Sequence, residues 1–131
     1  MVVEEIMSKD PFALDVRATV EEALAQLAEA DIRHLPIVES GALVGILSDR
    51  DLREAVPGGL WSSSPVLGEA VSSIMSSNVV SATPETDLGE VVDAMIEHKI
   101  GAVPVVEADS AKLIGIVSYV DVLRALREFL E

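Results

Sequence analysis

An internal duplication constrains what this chain can fold into more than any other feature. Ile6-Met7-Ser8 recurs as Ile74-Met75-Ser76. Glu22, Glu29, Ile32, Pro36, Val38 and Glu39 recur as Glu90, Glu97, Ile100, Pro104, Val106 and Glu107, each 68 positions on. Gly45-Ile46-x-Ser48-x-x-Asp51 recurs as Gly115-Ile116-x-Ser118-x-x-Asp121, now 70 positions on. The slip falls where the first copy has a tight Ser40-Gly41 turn and the second a longer Ala108-Asp109-Ser110-Ala111 turn. Turns absorb insertions with least harm, so the slip is what a duplicated structural unit produces. Two copies predict a pseudo-twofold pair, with a cleft on the axis presenting matched polar groups to a ligand.

Composition narrows the class. The chain has 131 residues, half of them hydrophobic, enough for one core or for two small halves sharing one. No apolar run is long enough to span a bilayer, and Met1-Val2-Val3-Glu4-Glu5 lacks the basic start and apolar stretch of a signal peptide. The expectation is a soluble, cytoplasmic protein. The absence of cysteine excludes disulfides, thiolate nucleophiles and cysteine metal sites. With 23 acidic and 9 basic residues, the net charge of −14 is spread evenly, which argues against nucleic acid or anionic membrane as a partner.

Each copy reads strand, helix, strand, strand, helix. Phe12-Ala13-Leu14-Asp15-Val16 predicts a short strand. Thr19 then opens a helix with Glu22 at the capping-box spacing. Val20, Ala23, Leu24, Leu27 and Ala28 share its apolar face. In the second copy Asp87 is the expected cap with Glu90 at the third position, and the face is Leu88, Val91, Val92, Met95 and Ile96. Leu35-Pro36-Ile37-Val38 with Ala42-Leu43-Val44-Gly45-Ile46-Leu47 predicts a buried hairpin, as does Val103-Pro104-Val105-Val106 with Leu113-Ile114-Gly115-Ile116-Val117. Proline cannot donate to a ladder, so Pro36 should start its strand or lie at an edge. Closing helices are expected from about Asp49 to Ala55 and from about Tyr119 to Leu130. Pro57-Gly58-Gly59 stops the first of them. The expected division is repeat 1 over 1–56, a linker over 57–69 holding the single Trp61, and repeat 2 over 70–131.

The order Ile-Met, capped helix, Ile32-Arg33-His34-Leu35-Pro36-Ile37-Val38, turn, Leu43-Val44-Gly45-Ile46-Leu47-Ser48-Asp49-Arg50-Asp51-Leu52 resembles a CBS domain. The second copy is similar through Ile100-Gly101-Ala102-Val103-Pro104-Val105-Val106 and Leu113-Ile114-Gly115-Ile116-Val117-Ser118-Tyr119-Val120-Asp121-Val122. The resemblance covers almost the whole chain. It implies an α/β (α+β) tandem pair, or Bateman module, of two β-α-β-β-α repeats packed with pseudo-twofold symmetry through their sheets. Such modules bind adenosine-containing ligands between the repeats, regulate an attached or partner protein, and form disc-shaped dimers. With no enzyme domain attached, the effector expected here is a separate protein, and a homodimer is the expected assembly.

Ser48 and Ser118 each end a strand and open a helix, where free N–H groups and a hydroxyl suit an anion. Asp51 and Asp121 follow three residues on, and a carboxylate can accept both hydroxyls of a ribose diol. The resemblance implies that Asp51 and Asp121 hold the ribose and that Ser48 and Ser118 sit near the phosphate. The same spacing is also that of a capping box, so both readings stand at this point. Arg33, His34 and Arg50 in the first copy face Gly101, Ala102 and Val120 in the second. Some members of the family this chain resembles meet phosphates with basic residues just before the second strand, so the resemblance implies a phosphorylated ligand near Arg33 and His34, which cluster with Arg50 and Arg53 in an otherwise acidic chain. The alternative for Arg33 and His34 is solvation or pairing with Asp31 or Glu29. Copy two keeps Asp121 without the cations, which suits an uncharged adenosyl group, weak binding or none.

The resemblance assigns the adenine slot to Phe12, Ala13, Leu35 and Pro36 in one copy and to Val80, Ser81, Val103 and Pro104 in the other; core packing is the alternative, favoured for Pro36 and Pro104. His98 has no metal-ligand partner at useful spacing and reads as a polar helix end. No Ser/His/Asp set, Gly-rich phosphate loop or metal cluster supports catalysis. The leading reading is a non-enzymatic sensor of AMP, ADP, ATP or S-adenosylmethionine with no required cofactor. The alternative is a ligand-free dimerisation module using Leu123, Leu126 and Phe129-Leu130.

Overall fold

The structure is a computed structural model that describes residues 1–55 and 64–130. Trp61 and the Pro57-Gly58-Gly59 stop lie outside the described residues. The fold is mixed α/β, with two three-stranded sheets and four α-helices among the described residues. The chain divides into two compact units, one formed by Met1–Pro11 with Val80–Glu131, the other by Phe12–Val79.

In the unit over Phe12–Val79, strand β2 (Leu14–Asp15) runs parallel to β3 (His34–Glu39), which pairs antiparallel with β4 (Ala42–Ser48). The expected five-residue first strand is thus reduced to its two paired residues. The β3–β4 turn places both Ser40 and Gly41 at positive φ, the twist a two-residue hairpin loop requires. Helix α1 (Val20–Ala30) begins at Thr19, whose hydroxyl accepts from the Glu22 N–H while the Glu22 carboxylate accepts from the Thr19 N–H, so the capping box is present. Val20, Ala23 and Leu27 are buried, Leu24 is half-buried, and Ala28 faces solvent at the edge of the expected stripe. Helix α2 (Asp49–Ala55) closes the repeat and buries Leu52.

The other unit repeats the helix, hairpin, helix order, but its leading strand is reduced to the parallel Ala82–Val105 bridge and its third strand comes from Ser8–Lys9. Helix α3 (Leu88–His98) precedes the hairpin of β5 (Ala102–Val106) and β6 (Leu113–Ser118), and α4 (Tyr119–Arg127) closes it. Three expectations change here. Asp87 caps α3 through the Gly89 N–H, and Glu90 does not complete a box. Two carboxylates would have to share that turn, whereas Thr19 offers Glu22 a neutral partner. Ile96 is 71% exposed and so leaves the apolar face. Helix α4 ends at Arg127, leaving Phe129 and Leu130 beyond it.

The segments carrying the duplicated Ile-Met-Ser motif pack on the hairpin of the other copy. β1 (Ser8–Lys9) adds antiparallel to β6, pairing Ser8 with Ile116. Ser76 in turn exchanges two backbone hydrogen bonds with Ile46 on β4. Val3, Ile6 and Met7 join the core of Val91, Val103, Val105 and Val117. Val71, Ile74 and Met75 join that of Leu35, Ile37, Leu47 and Leu52. Glycine makes room for each methionine: a Cβ on Gly115 would meet the Met7 sulfur at 2.8 Å and the Ser8 carbonyl at 3.0 Å, and one on Gly45 would collide with the Met75 sulfur. Each hairpin carries a register shift beside that glycine, at Ile37/Val38 and at Val105/Val106.

Candidate functional site

The hairpins end in the same way in both units. His34 lies opposite Ser48 in the β3–β4 register, and Ala102 lies opposite Ser118 in β5–β6. The residue before each hairpin then locks the helix start: the Asp49 N–H donates to the Arg33 carbonyl at 2.9 Å, and the Tyr119 N–H to the Gly101 carbonyl at 2.9 Å. A strand end, a strand start and the first turn of a helix therefore meet at one edge of each sheet. Parallel pairing of Leu14 with Ile37 brings Phe12 to that same edge, and the Ala82–Val105 bridge does so for Val80.

Ser48 and Asp51 form a reciprocal box. The Ser48 N–H donates to Asp51 Oδ2 at 2.8 Å, and the Asp51 N–H donates to the Ser48 hydroxyl at 3.1 Å. Ser118 and Asp121 match it at 2.9 and 3.3 Å, with the Ser118 hydroxyl also 3.1 Å from Asp121 Oδ2. The capping reading of Ser-x-x-Asp is thus realised in both copies. It leaves chemistry to spare: among the described residues, Oδ1 of neither aspartate accepts a hydrogen bond, and the Asp121 side chain is 14% exposed with Arg124 3.9 Å away. A carboxylate held by its Oδ2 is a fixed acceptor, pointed by the helix start rather than free to rotate.

The basic set read from the sequence gathers at the first helix start, whereas at the second the cation beside the box is Arg124, 3.9 Å from Asp121 Oδ1. Arg33, His34 and Arg50 all lie at the β3–β4 edge. Arg33 pairs with Asp49 at 3.9 Å, not with Asp31 or Glu29, because the Asp49–Arg33 backbone bond sets the two side by side. Arg53 meets the same carboxylate at 3.5 Å. Asp49 is the residue the sequence reading passed over; its spacing of four to Arg53 was the available signal. Burial pushes the half-buried His34 imidazole below its ordinary pKa; Asp51 pulls it up, Arg33 and Arg50 push it down, and Asp49 pulls it up. The net effect favours the neutral imidazole.

The slot residues divide sharply. Leu35, Pro36, Val103 and Pro104 are fully buried, so their side chains belong to the core and their backbone faces the strand partners. The Pro104 carbonyl accepts from the Ala82 N–H at 3.0 Å. Phe12 is 57% exposed, Val80 half-buried and Ser81 exposed. His98 is the exposed last residue of α3. No group of three or more His, Cys, Asp or Glu among the described residues could hold a metal. No helix among the described residues is long and apolar enough to cross a membrane.

Two copies of a helix, a hairpin and a closing helix on a Ser-x-x-Asp start, led by β2 in one and by the single Ala82–Val105 bridge in the other, define a tandem CBS pair. The CBS domain model matches the chain over residues 3–58 and 71–128, and the chain belongs to that family. A CBS domain-containing protein of Dictyostelium discoideum is 33% identical over 144 residues, spanning all of this chain and 94% of its own length. Homoserine O-acetyltransferase of Methanohalobium evestigatum is 29% identical over 128 residues, 97% of this chain, but the chain spans 24% of that enzyme. Among solved structures, CBSX2 in complex with AMP superposes with a TM-score of 0.86 at 27% identity, covering 99% of each chain. The CBS domain pair of protein MJ0100, in complex with 5'-methylthioadenosine and S-adenosyl-L-methionine, does so with a TM-score of 0.85 at 30% identity, covering 98% of this chain and 97% of that one.

Proposed function

We propose that this chain is a regulatory module that binds an adenosyl ligand at the hairpin ends and signals its occupancy to a separate effector protein in the cytoplasm. The observation that carries this reading is the matched pair of Ser-x-x-Asp helix starts, each holding Oδ2 of its carboxylate in a cap and leaving Oδ1 without a hydrogen bond among the described residues. Asp51 and Asp121 are the ribose acceptors, and Ser48 and Ser118 lie on the phosphate side. Arg33 and Arg50 make the first repeat the place for a phosphorylated ligand, with AMP, ADP and ATP as candidates. Ala102 and Val120 leave the second repeat suited to an uncharged or cationic adenosyl group such as that of S-adenosylmethionine. The two relatives and neighbours crystallised with AMP or with S-adenosylmethionine support the ligand class, and the module needs no cofactor or catalytic residue to act.

A thermal-shift screen against AMP, ADP, ATP, S-adenosylmethionine, NAD and adenosine tests the reading. A ligand at a hundred times its Kd adds about 2.7 kcal/mol, a melting shift of several degrees. The expected result is a shift with at least one of them, lost in the double variant Asp51→Ala, Asp121→Ala. No shift at millimolar ligand would overturn it. One observation favours a second reading, a homodimerisation module without ligand: Leu123 and Leu126 on α4, and Phe129 and Leu130 beyond it, are all exposed. Concentration-dependent dimers indifferent to every nucleotide are its signature.

A further inference from the structure

We infer that His34 selects the ligand's charge at the first repeat: on protonation it joins Arg33 and Arg50 as a third cation, so that phosphorylated ligands bind more tightly there as the pH falls. The inference rests on the reading of that edge as an adenosyl-ligand site. Its basis is placement. His34 opens β3 directly opposite Ser48, at the edge where the Ser48–Asp51 box forms. The charged groups acting on it come from both neighbouring elements, Arg33 just before the strand and Asp49, Arg50 and Asp51 on α2. Asp49 is already engaged by Arg33 and Arg53. Arg50 is exposed and has no carboxylate within salt-bridge distance among the described residues.

Burial, the largest influence, favours the neutral imidazole against the pull of Asp51. An arriving phosphate adds negative charge and reverses the balance. His34 then takes up a proton as the ligand binds. By linkage, a ligand that raises a group's pKa must itself bind more tightly as the pH falls. The second repeat has Ala102 at the matched position, with Gly101 and Val120 beside it, so it carries no such coupling.

Calorimetric titration with AMP at about pH 8 and about pH 5.5, on the wild type and on His34→Ala and His34→Gln, tests this. The phosphate of AMP itself takes up a proton in this range, with a pKa of about 6, and that loss of charge acts against binding in all three proteins. The difference between proteins therefore isolates His34. The wild type should gain about tenfold in affinity over both variants between the two pH values, the equivalent of about one pKa unit. Adenosine, which has no phosphate, should show no such gain. Titration near neutral pH in two buffers of different ionisation enthalpy should reveal proton uptake on AMP binding in the wild type alone. Equal pH slopes in wild type and variants would overturn the inference while leaving the proposed function standing. Failure of the wild type to bind any of the six screened ligands at either pH would overturn both.

Discussion

The helices that close the two repeats occupy matched positions and do different work. In α2 the sequence Asp49-Arg50-Asp51-Leu52-Arg53 surrounds one buried leucine with charge, and Leu52 is 1% exposed. In α4 the matched run is Tyr119-Val120-Asp121-Val122-Leu123; no residue of it is buried, and Tyr119, Val120, Leu123 and Leu126 face outward. One helix is pinned to its core and turns a charged face outward. The other is held by its Ser118–Asp121 start and turns an apolar face outward. Duplication has preserved the machinery at the helix start while the faces have diverged. The conserved part of the design is thus the end of the hairpin, and the part free to specialise is the surface beyond it.

The sharpest way to break this comparison is to truncate the two anchors. Leu52→Ala should cost about 3 kcal/mol, within the usual range for a buried leucine. Val122→Ala, at the half-buried matched position, should cost about 1 kcal/mol or less. Chemical denaturation of both variants measures this, and equal losses would mean that α4 is as firmly seated as α2. A second pair of variants addresses the two glycines. Gly115→Ala should cost about 2–3 kcal/mol, because the new methyl meets the backbone carbonyl of Ser8 as well as Met7. Gly45→Ala should cost less, about 1 kcal/mol, because its obstacle is the flexible Met75 side chain. The reverse order in melting temperatures would show that Met75 is the more rigidly held methionine.

Smaller effects sharpen the comparison of the helix starts. Thr19→Ala removes a reciprocal box and should cost about 1 kcal/mol; Asp87→Ala removes one bond to the Gly89 N–H and a largely solvated 4.0 Å pairing with the Met1 amino group, and should cost about half that. Both follow from urea unfolding midpoints. The smallest effect is one of slope. The folded-state pKa of His34 lies below its unfolded value of about 6.5, so the unfolded chain binds the extra proton first. His34 therefore costs nothing well above that pH and erodes stability as the pH drops through about 6.5 toward the folded pKa. His34→Ala should flatten the fall in stability between about pH 7.5 and 5.5, and an unchanged profile would show that burial does not hold the imidazole neutral.

Much of the architecture was legible because it is encoded locally. The strand-helix-strand-strand-helix order, the tight Ser40-Gly41 turn, and the starts at Thr19, Ser48 and Ser118 depend on residues within four positions of one another. The asymmetry of charge between the repeats was equally legible, since Arg33, His34 and Arg50 and their counterparts need only the alignment of the copies. The departures came where a residue meets something distant or is crowded by its own kind. Glu90 was expected in a box that its own cap, Asp87, repels. Ile96 and Ala28 fit a helical stripe by spacing, yet both are exposed. Arg33 was offered Asp31 or Glu29 along the sequence and took Asp49 across the hairpin.

By itself the sequence determined that there are two copies of one unit, which segments are helix and strand, and which copy holds the cations, because periodicity, turn chemistry and capping act over a few residues. Only the tertiary structure decided that Val3 and Met7 complete the core of the second hairpin and Val71 and Met75 that of the first. A short segment such as Ser8–Lys9 has too few residues to choose a partner by its own pattern. It goes where an unpaired strand edge and a glycine-lined gap accept it, and here those lie on β6, at the far end of the chain.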